Sequence, residues 1–494
     1  MAHKLSKSSF MSGLQCLKKF WRERHEPIQM RFTEAENQRF EVGRRVGEYA
    51  REQMQNGVLI HGKDLNDSLA KTQDHLLKGT GVIFEATFLH DEIIVKTDIL
   101  VNSGHRGWTL IEVKSGTEVK EEYIFDVALQ YYCLVGAGIK IHKVFIRHIN
   151  NQCVYPNLYD LFTTVDVTDK AIGLHAGIEY CIAEEKKILL ENAEPDNYIG
   201  KHCIKPHTCQ YKNDCWKIVP PQSIFSIPYL GWDKKENLIS DGIISLDEIP
   251  SPFKLSDKQW KHVKMMKDGK ARIDRYRIQK QLSTLKYPLH FLDFETDAPA
   301  IPRFDGMKPY QKYPFQYSCH IIDTFDTLSH VEYLHIDKTD PRRAIAERLL
   351  SDLGKRGTII VYNAQFEISV IKYLAEFLPD LRDDLLKLLP RIWDQLQIFK
   401  QFYSHPDFNG SNSIKSVLPV LVPHLDHKKL VQVHDGVEAG AVWNKAITDL
   451  GEKRKNAKFE NLKAYCKLDT LAMVEIHKHL AQLPTVKIIA PSFH

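Results

Sequence analysis

Residues 287–296 read Tyr287-Pro-Leu-His-Phe-Leu-Asp-Phe-Glu-Thr296, and they constrain the chain more than any other stretch. The run reads as a β-strand, in which successive side chains alternate between faces. Asp293 and Glu295 therefore share one face, while Leu292 and Phe294 point into packing on the other. Two neighbouring carboxylates repel unless something positive lies between them, and a hard divalent cation such as Mg²⁺ is the usual partner. An isolated Asp-x-Glu is more often a polar strand end, so the weight falls on the other acids along the chain.

At 494 residues the chain is long enough for two or three domains, each with its own core. No window approaches the ~18 uninterrupted apolar residues of a membrane span. The N-terminus lacks the apolar core of a secretory signal, which makes the cytoplasm the expected location. The net charge of +4 conceals two basic stretches. Residues 1–32 carry seven Lys/Arg against two Glu, and residues 254–286 carry eleven against three Asp. Such local excess suits contact with a polyanion, although a solvated helix face accounts for charge alone equally well.

Residues 80–150 contain three β-rich runs, beginning at Glu85, Glu92 and Trp108, then a segment with helical periodicity from about Lys120 to Leu134. Alternation puts Glu112 and Lys114 on one face, where Asp98 of the preceding run can reach them. Two carboxylates to hold Mg²⁺ and a lysine to orient water or steady the phosphate form a coherent chemical set. The spacing Asp98-x13-Glu112-x-Lys114, followed by Gln130 on a helix, is restrictive. This region resembles the PD-(D/E)XK nuclease superfamily, in the RecB-type branch that includes the CRISPR-adaptation exonucleases. The resemblance implies Asp98, Glu112 and Lys114 as the catalytic trio, Glu85 as an auxiliary metal-binding acid and Gln130 as a substrate-positioning residue. Two features depart from that branch: the Gly43–Tyr49 stretch offers no histidine, and Leu134 stands where a tyrosine is usual.

Nine cysteines in a chain expected to lie in a reducing compartment do not form a disulfide framework. Cys133, Cys153, Cys181, Cys319 and Cys466 lie singly and read as packing residues. Cys203, Cys209 and Cys215 form a polar triplet with Cys16 far upstream, a set that suits either Zn²⁺ or an iron–sulfur cluster. The RecB-type resemblance implies a structural 4Fe–4S cluster on Cys16, Cys203, Cys209 and Cys215. His202 and His207 keep zinc as the alternative.

Residues 221–285 are punctuated by proline and read as a helical, basic linker: Leu230–Pro250 as a short helix, a Gly-turn and a second short helix, then a basic run opening at Ser256-Asp257 with Trp260, Val263, Met266, Ile273 and Ile278 as a partial apolar face. Beyond it, the Asp293/Glu295 strand is followed by a strand at Gln316, by Tyr362-Asn363-Ala-Gln-Phe-Glu367, by Trp393-Asp394, and by a helix carrying Tyr465 and Asp469 four residues apart. This order is similar to an RNase H-like, DnaQ-type 3′–5′ exonuclease of the DEDDy kind. It also resembles an uncharacterised domain family fused behind iron–sulfur RecB-type nucleases. The resemblance implies Asp293, Glu295, Glu367 and Asp469 as metal ligands and Tyr465 as the water-positioner. Glu367 departs from the aspartate usual at that place.

The expected fold is therefore α/β: a PD-(D/E)XK restriction-endonuclease-like domain over 1–220, a helical linker over 221–285, and an RNase H-like exonuclease-type domain over 286–494. The expected function is a Mg²⁺- or Mn²⁺-dependent nuclease processing DNA ends. A nucleic-acid-binding adaptor with a degenerate downstream domain, or an RNA-directed nuclease, stand as alternatives.

Overall fold

The computed structural model describes residues 4–29, 32–251, 253–425, 436–448 and 451–484. The chain is mixed α/β and divides into two units. One comprises Met1–Ile218 together with Pro299–Tyr310, and the other Val219–Ala298 together with Gln311–His494. Among the described residues no helix is long and apolar enough to cross a membrane.

The first unit is built on a seven-stranded sheet of β1 (Leu5–Ser6), β2 (Val58–Leu59), β3 (Val82–His90), β4 (Ile93–Asn102), β5 (Trp108–Lys114), β6 (Ile141–Ile149) and β7 (Phe162–Asp166). The order is β2-β3-β4-β5-β6-β7, with β1 pairing to the first residues of β4. The β3–β4 and β4–β5 pairs are antiparallel, whereas β5–β6 is parallel and is bridged by the helix Glu121–Gly136. That helix buries Val127, Ala128, Leu129, Cys133 and Leu134 against Ile83, Val95, Leu110 and Val144 of the sheet. Residues Pro299–Tyr310, distant in sequence, join this unit: Gly306 N–H donates to the Tyr155 carbonyl (3.0 Å), and the Tyr310 hydroxyl donates to the Ser115 carbonyl beside Lys114.

The second unit holds β8 (Arg272–Ile273), β9 (Leu289–Asp297), β10 (Tyr313–Ile322), β11 (Leu328–Leu334), β12 (Thr358–Val361), β13 (Ile392–Asp394) and β14 (Tyr403–Ser404). Five of these form a sheet in the order β11-β10-β9-β12-β13, with β9 at its centre, antiparallel to β10 and parallel to β12. Both faces of β9 are covered. Leu292 and Phe294 pack with helices Arg342–Leu353 and Ala364–Phe377, while Leu289 and Phe291 pack with Met473 and Val474 of helix Glu452–Ala481. The alternation read from the sequence thus turns Asp293 and Glu295 toward the helix that carries Tyr465 and Asp469.

The segment 221–285 holds the short helical pieces Trp232–Ser240, Leu246–Glu248, Asp257–Asp268 and Arg275–Leu282, and its basic run from Ser256 is not one continuous helix. The first part of the segment folds around its own apolar cluster, with Ile224, Leu238, Leu246, Val263 and Met266 buried together. Ser256 caps the helix Asp257–Asp268 through a box with Gln259, and Gly269 ends it in a left-handed turn. Ile273 and Ile278 then pack elsewhere, against Phe399 and Ile476. The glycine breaks the single apolar face that the periodicity suggests.

Gly357 fixes the junction between β9 and β12. Its φ is +89°, and a Cβ there would stand 2.1 Å from the Pro288 carbonyl oxygen, which is backbone and cannot swing aside. Gly357→Ala is expected to lower stability by roughly 2 kcal/mol or more through strain and displacement. Denaturant unfolding checks this, and a midpoint within experimental error of the unaltered chain would contradict it.

Candidate functional site

Two sets of acids stand on the two sheets. In the first unit the pairs Phe84↔Ile99 and Ile99↔Ile111 place Glu85, Asp98 and Glu112 in the next row across β3, β4 and β5. The β4–β5 ladder ends at that row, and the Asp98 carboxylate takes over by accepting from Val113 N–H at 2.7 Å. Glu85 has φ +55°, a strained value for a non-glycine residue inside a strand, and its carboxylate lies 3.5 Å from Arg51. The row is legible only once strand register is known.

Glu112 is buried and fully engaged. Its Oε1 accepts from Lys114 Nζ at 2.8 Å and from Lys7 Nζ at 2.9 Å, and its Oε2 accepts from Gln130 Nε2 at 2.8 Å. Asp126, one turn before Gln130 on the same helix, completes the set. It accepts from Lys114 and Gln130, and it pairs with Lys7 at 3.1 Å. Burial pushes the Glu112 carboxyl up, but Lys114 and Lys7 outweigh it and hold the group well below the usual carboxylate range. Burial and the neighbouring Glu112 charge push Asp98 up to about 7. Asp98, Glu112, Lys114 and Gln130 thus converge as the sequence suggested, and Lys7 and Asp126 join them unannounced. The donors present are hard oxygens, including a buried Gln130 Oε1 that finds no hydrogen-bond partner, and they suit a cation such as Mg²⁺ or Mn²⁺.

The second unit brings Asp293, Glu295 and Cys466 together, with one ligand-type atom of each within 4.8 Å of the others. Register shifts beside Glu295, between Pro314 and Gln316, an irregularity of the kind that re-aims side chains near functional sites. Helix Glu452–Ala481 supplies Tyr465, whose hydroxyl hydrogen-bonds Asp469. Glu367 lies in the first turn of helix Ala364–Phe377, with one carboxylate oxygen buried and unpartnered. Burial and the facing Asp469 charge raise Asp293, while burial and the Asp293 and Asp394 charges raise Glu367. Burial pushes Asp469 up to about 7 against the opposing pull of Lys415. Here Asp469 raises Asp293 and Asp293 raises Glu367, whereas the first set is balanced by two lysines. Such mutual repulsion in a buried site is relieved by a divalent cation.

Asp394 is a strand-end residue: it accepts from Asn363 N–H (2.9 Å), Leu396 N–H (3.1 Å) and Gln397 Nε2 (2.8 Å). Cys466, read from sequence as packing, instead lies with its thiol 3.9 Å from the Asp293 carboxylate. Its spacing three residues before Asp469 was the available signal.

These raised acids give a pH signature. Asp98 and Asp469 keep protons up to about pH 7 in the folded chain, whereas unfolded carboxyls release theirs near 4. The folded state binds more protons at these two groups in that window, so their contribution to stability falls as pH rises from about 4 to about 7 and then levels off. A divalent cation takes the ionised form. The rise in Tm on adding Mn²⁺ is therefore expected to be larger at pH 8 than at pH 5, by about 3 °C or more, in scanning calorimetry. Equal rises at both pH values would contradict this account.

Cys16 caps the junction of helices Lys7–Gln15 and Leu17–His25, and the loop bearing Cys203, Cys209 and Cys215 folds against it. Gln15 Nε2 donates to the carbonyls of His202 (2.8 Å) and His207 (2.7 Å), and Asn197 donates to the Cys16 sulfur (3.2 Å). His202 hydrogen-bonds the sulfurs of both Cys16 and Cys203 and is pushed up to about 10 by them. Burial opposes ionisation of Cys203, yet His202 and Trp216 bring it down to about 7. Cys209 and Cys215 are raised by burial, and each also feels the charges of Cys16 and Cys203. The charges of the four thiols act on one another and two of them are biased toward thiolate, a donor chemistry that suits an iron–sulfur cluster, whereas among the described residues no three of their sulfurs lie within 4.8 Å of one another, the closeness a zinc site needs.

Residues 290–413, which include Asp293, Glu295 and Glu367, match the family described as Domain of unknown function (DUF2779). An uncharacterized protein, UU173 of Ureaplasma parvum serovar 3, is 26% identical over 226 residues, covering 40% of this chain and 32% of that protein. The chain thus spans about a third of the length of that relative. Among solved structures, the crystal structure of SSO0001 aligns at 12% identity over 40% of this chain and 80% of that one, with a TM-score of 0.19.

Proposed function

We propose that the chain is a metal-dependent nuclease acting on DNA ends, with two separate centres. One is a PD-(D/E)XK-like centre of the RecB type, its unit stapled by a 4Fe–4S cluster. The other is an RNase H-like, DnaQ-type exonuclease centre. The observation that carries this reading is the repetition, on two different sheets, of buried acids accompanied by the residue types that phosphodiester hydrolysis needs. Lys114 and Gln130 attend the first set, and Tyr465 attends the second.

Bound Mg²⁺ or Mn²⁺ supplies activation of water and neutralises charge on the phosphodiester. In the first centre Asp98 and Glu112 would hold the ion, with Glu85 in the same row. Gln130 fixes the Glu112 carboxylate, and Lys114 presents an ammonium to the charge that develops on phosphate. In the second centre Asp293, Glu295, Asp469 and Glu367 would hold metal, and the Tyr465 hydroxyl, anchored on Asp469, orients the attacking water. Incubation of the purified protein with end-labelled single- and double-stranded DNA and RNA tests the proposal. Cleavage that needs Mg²⁺ or Mn²⁺ and stops with chelator is expected, and absence of cleavage on every substrate would overturn it.

A second reading rests on Glu367. Its extra methylene displaces a carboxylate in a site where Mg²⁺ demands near-octahedral geometry. In that reading the downstream unit binds nucleic acid without cutting, and the first centre alone is active. Asp293→Asn then leaves all cleavage intact while Lys114→Ala abolishes it.

A further inference from the structure

Lys7 is 105 residues from Glu112 in sequence, yet its ammonium lies 2.9 Å from Glu112 Oε1 and 3.1 Å from Asp126 Oδ1. The placement is built, not incidental. Strand β1 immediately before it pairs in parallel with β4, and Leu5 N–H donates to the Glu92 carbonyl at 2.9 Å. Ser6 caps helix Lys7–Gln15 by accepting from Ser9 N–H. At the other end of the same helix Gln15 is bound to the cysteine loop, and Cys16 follows. Lys7 is thus held from both sides, with its side chain 28% exposed and its charge against two acids that are almost wholly buried.

We propose that Lys7 is a tethered counter-cation of the first centre, which occupies Glu112 and Asp126 before a divalent ion arrives and sets the affinity for that ion. The inference rests on the reading of this centre as a metal site. Glu112 Oε1 already accepts from two ammonium groups and Oε2 from Gln130. An ion drawing on Glu112 has to share it with Lys7, and the positive charge of Lys7 opposes the arrival of a second cation. Lys114 stands on the strand itself, two residues from Glu112. Lys7 instead sits on a separate element clamped by the cysteine loop, and the occupancy of the acids is thereby tied to that clamp. Lys7 acts here through Glu112 and is a positioning residue.

The test is Mn²⁺ binding to the full chain, read from the loss of the free-ion electron paramagnetic resonance signal. It is made in an Asp293→Asn/Asp469→Asn background, so that binding reports the first centre. Lys7→Met and Lys7→Gln are each expected to bind Mn²⁺ roughly tenfold or more tightly, because a unit positive charge at hydrogen-bond distance from a ligand has been removed. Lys7→Arg, which keeps the charge, is expected to stay within about twofold of the parent, an outcome that a purely packing role for Lys7 would not produce. Equal or weaker Mn²⁺ binding in whichever uncharged variant folds, or no Mn²⁺ binding in parent and variants alike, overturns the proposal. Failure of the nuclease reading is distinct from this: it appears as absence of cleavage whatever the binding shows.

Discussion

Lys114→Ala is expected to lower cleavage at the first centre by at least about a hundredfold, the scale on which removal of one preorganised charge donor acts. The ammonium touches Glu112 at 2.8 Å, hydrogen-bonds Asp126, and lies 5.2 Å from the centre of the Tyr123 ring. Its loss leaves two buried carboxylates with Lys7 as their shared countercharge and Gln130 still bonded to both, which adds a stability cost of about 2 kcal/mol, below that for a fully buried pair because Lys7 remains. Single-turnover cleavage separates the two effects, since the rate loss exceeds anything the stability change can produce while the protein remains folded. Lys114→Arg is not expected to restore the rate, because a planar guanidinium does not fill the place of a compact ammonium between Glu112 and Asp126. In an Asp293→Asn background, where only the first centre cuts, a Lys114→Ala protein that cuts within a few-fold of its Asp293→Asn parent would contradict the assignment.

Cys203→Ser carries the largest expected structural effect. Cys203 shares His202 with Cys16, and through these residues the first two helices are joined to a loop from the far end of the unit. Closing so long a loop stabilises by on the order of 4–5 kcal/mol, by analogy with a disulfide of similar span. Its removal corresponds to a fall in Tm of roughly 10 °C or more. The unaltered protein is expected to be brown, with absorption near roughly 400 nm from thiolate-to-iron charge transfer. The variant should lose both colour and the staple. A colourless, zinc-containing wild-type protein would assign the four cysteines to zinc, and an unchanged Tm in Cys203→Ser would remove the structural role altogether.

Alternation along residues 289–297 correctly placed Asp293 and Glu295 on the face opposite Leu292 and Phe294, because a strand buried on both sides leaves no freedom in its period. Helical spacing likewise placed Tyr465 beside Asp469. What failed to show in the sequence depends on tertiary structure. Lys7 lies within a basic N-terminal stretch that reads equally well as a phosphate-binding patch, and nothing local links it to Glu112. Asp126 was in principle legible, four residues before Gln130 on one helical face, but its neighbours in sequence are apolar and offer it no partner. The strained backbone at Glu85 has no sequence signature, since it uses no glycine, whereas the register irregularity beside Glu295 was marked by Pro314 within its strand. The break at Gly269 was visible as a residue, yet the basic composition on both sides of it suggested a single helix.

The central claim is that two acidic centres cut independently, and product analysis of end-labelled DNA by Lys114→Ala, Asp293→Asn and the double variant tests it most directly. Each single variant is predicted to retain one Mn²⁺-dependent product pattern and lose the other, and the double variant is predicted to lose both while remaining folded. A double variant that still cuts as the unaltered chain does would contradict the claim.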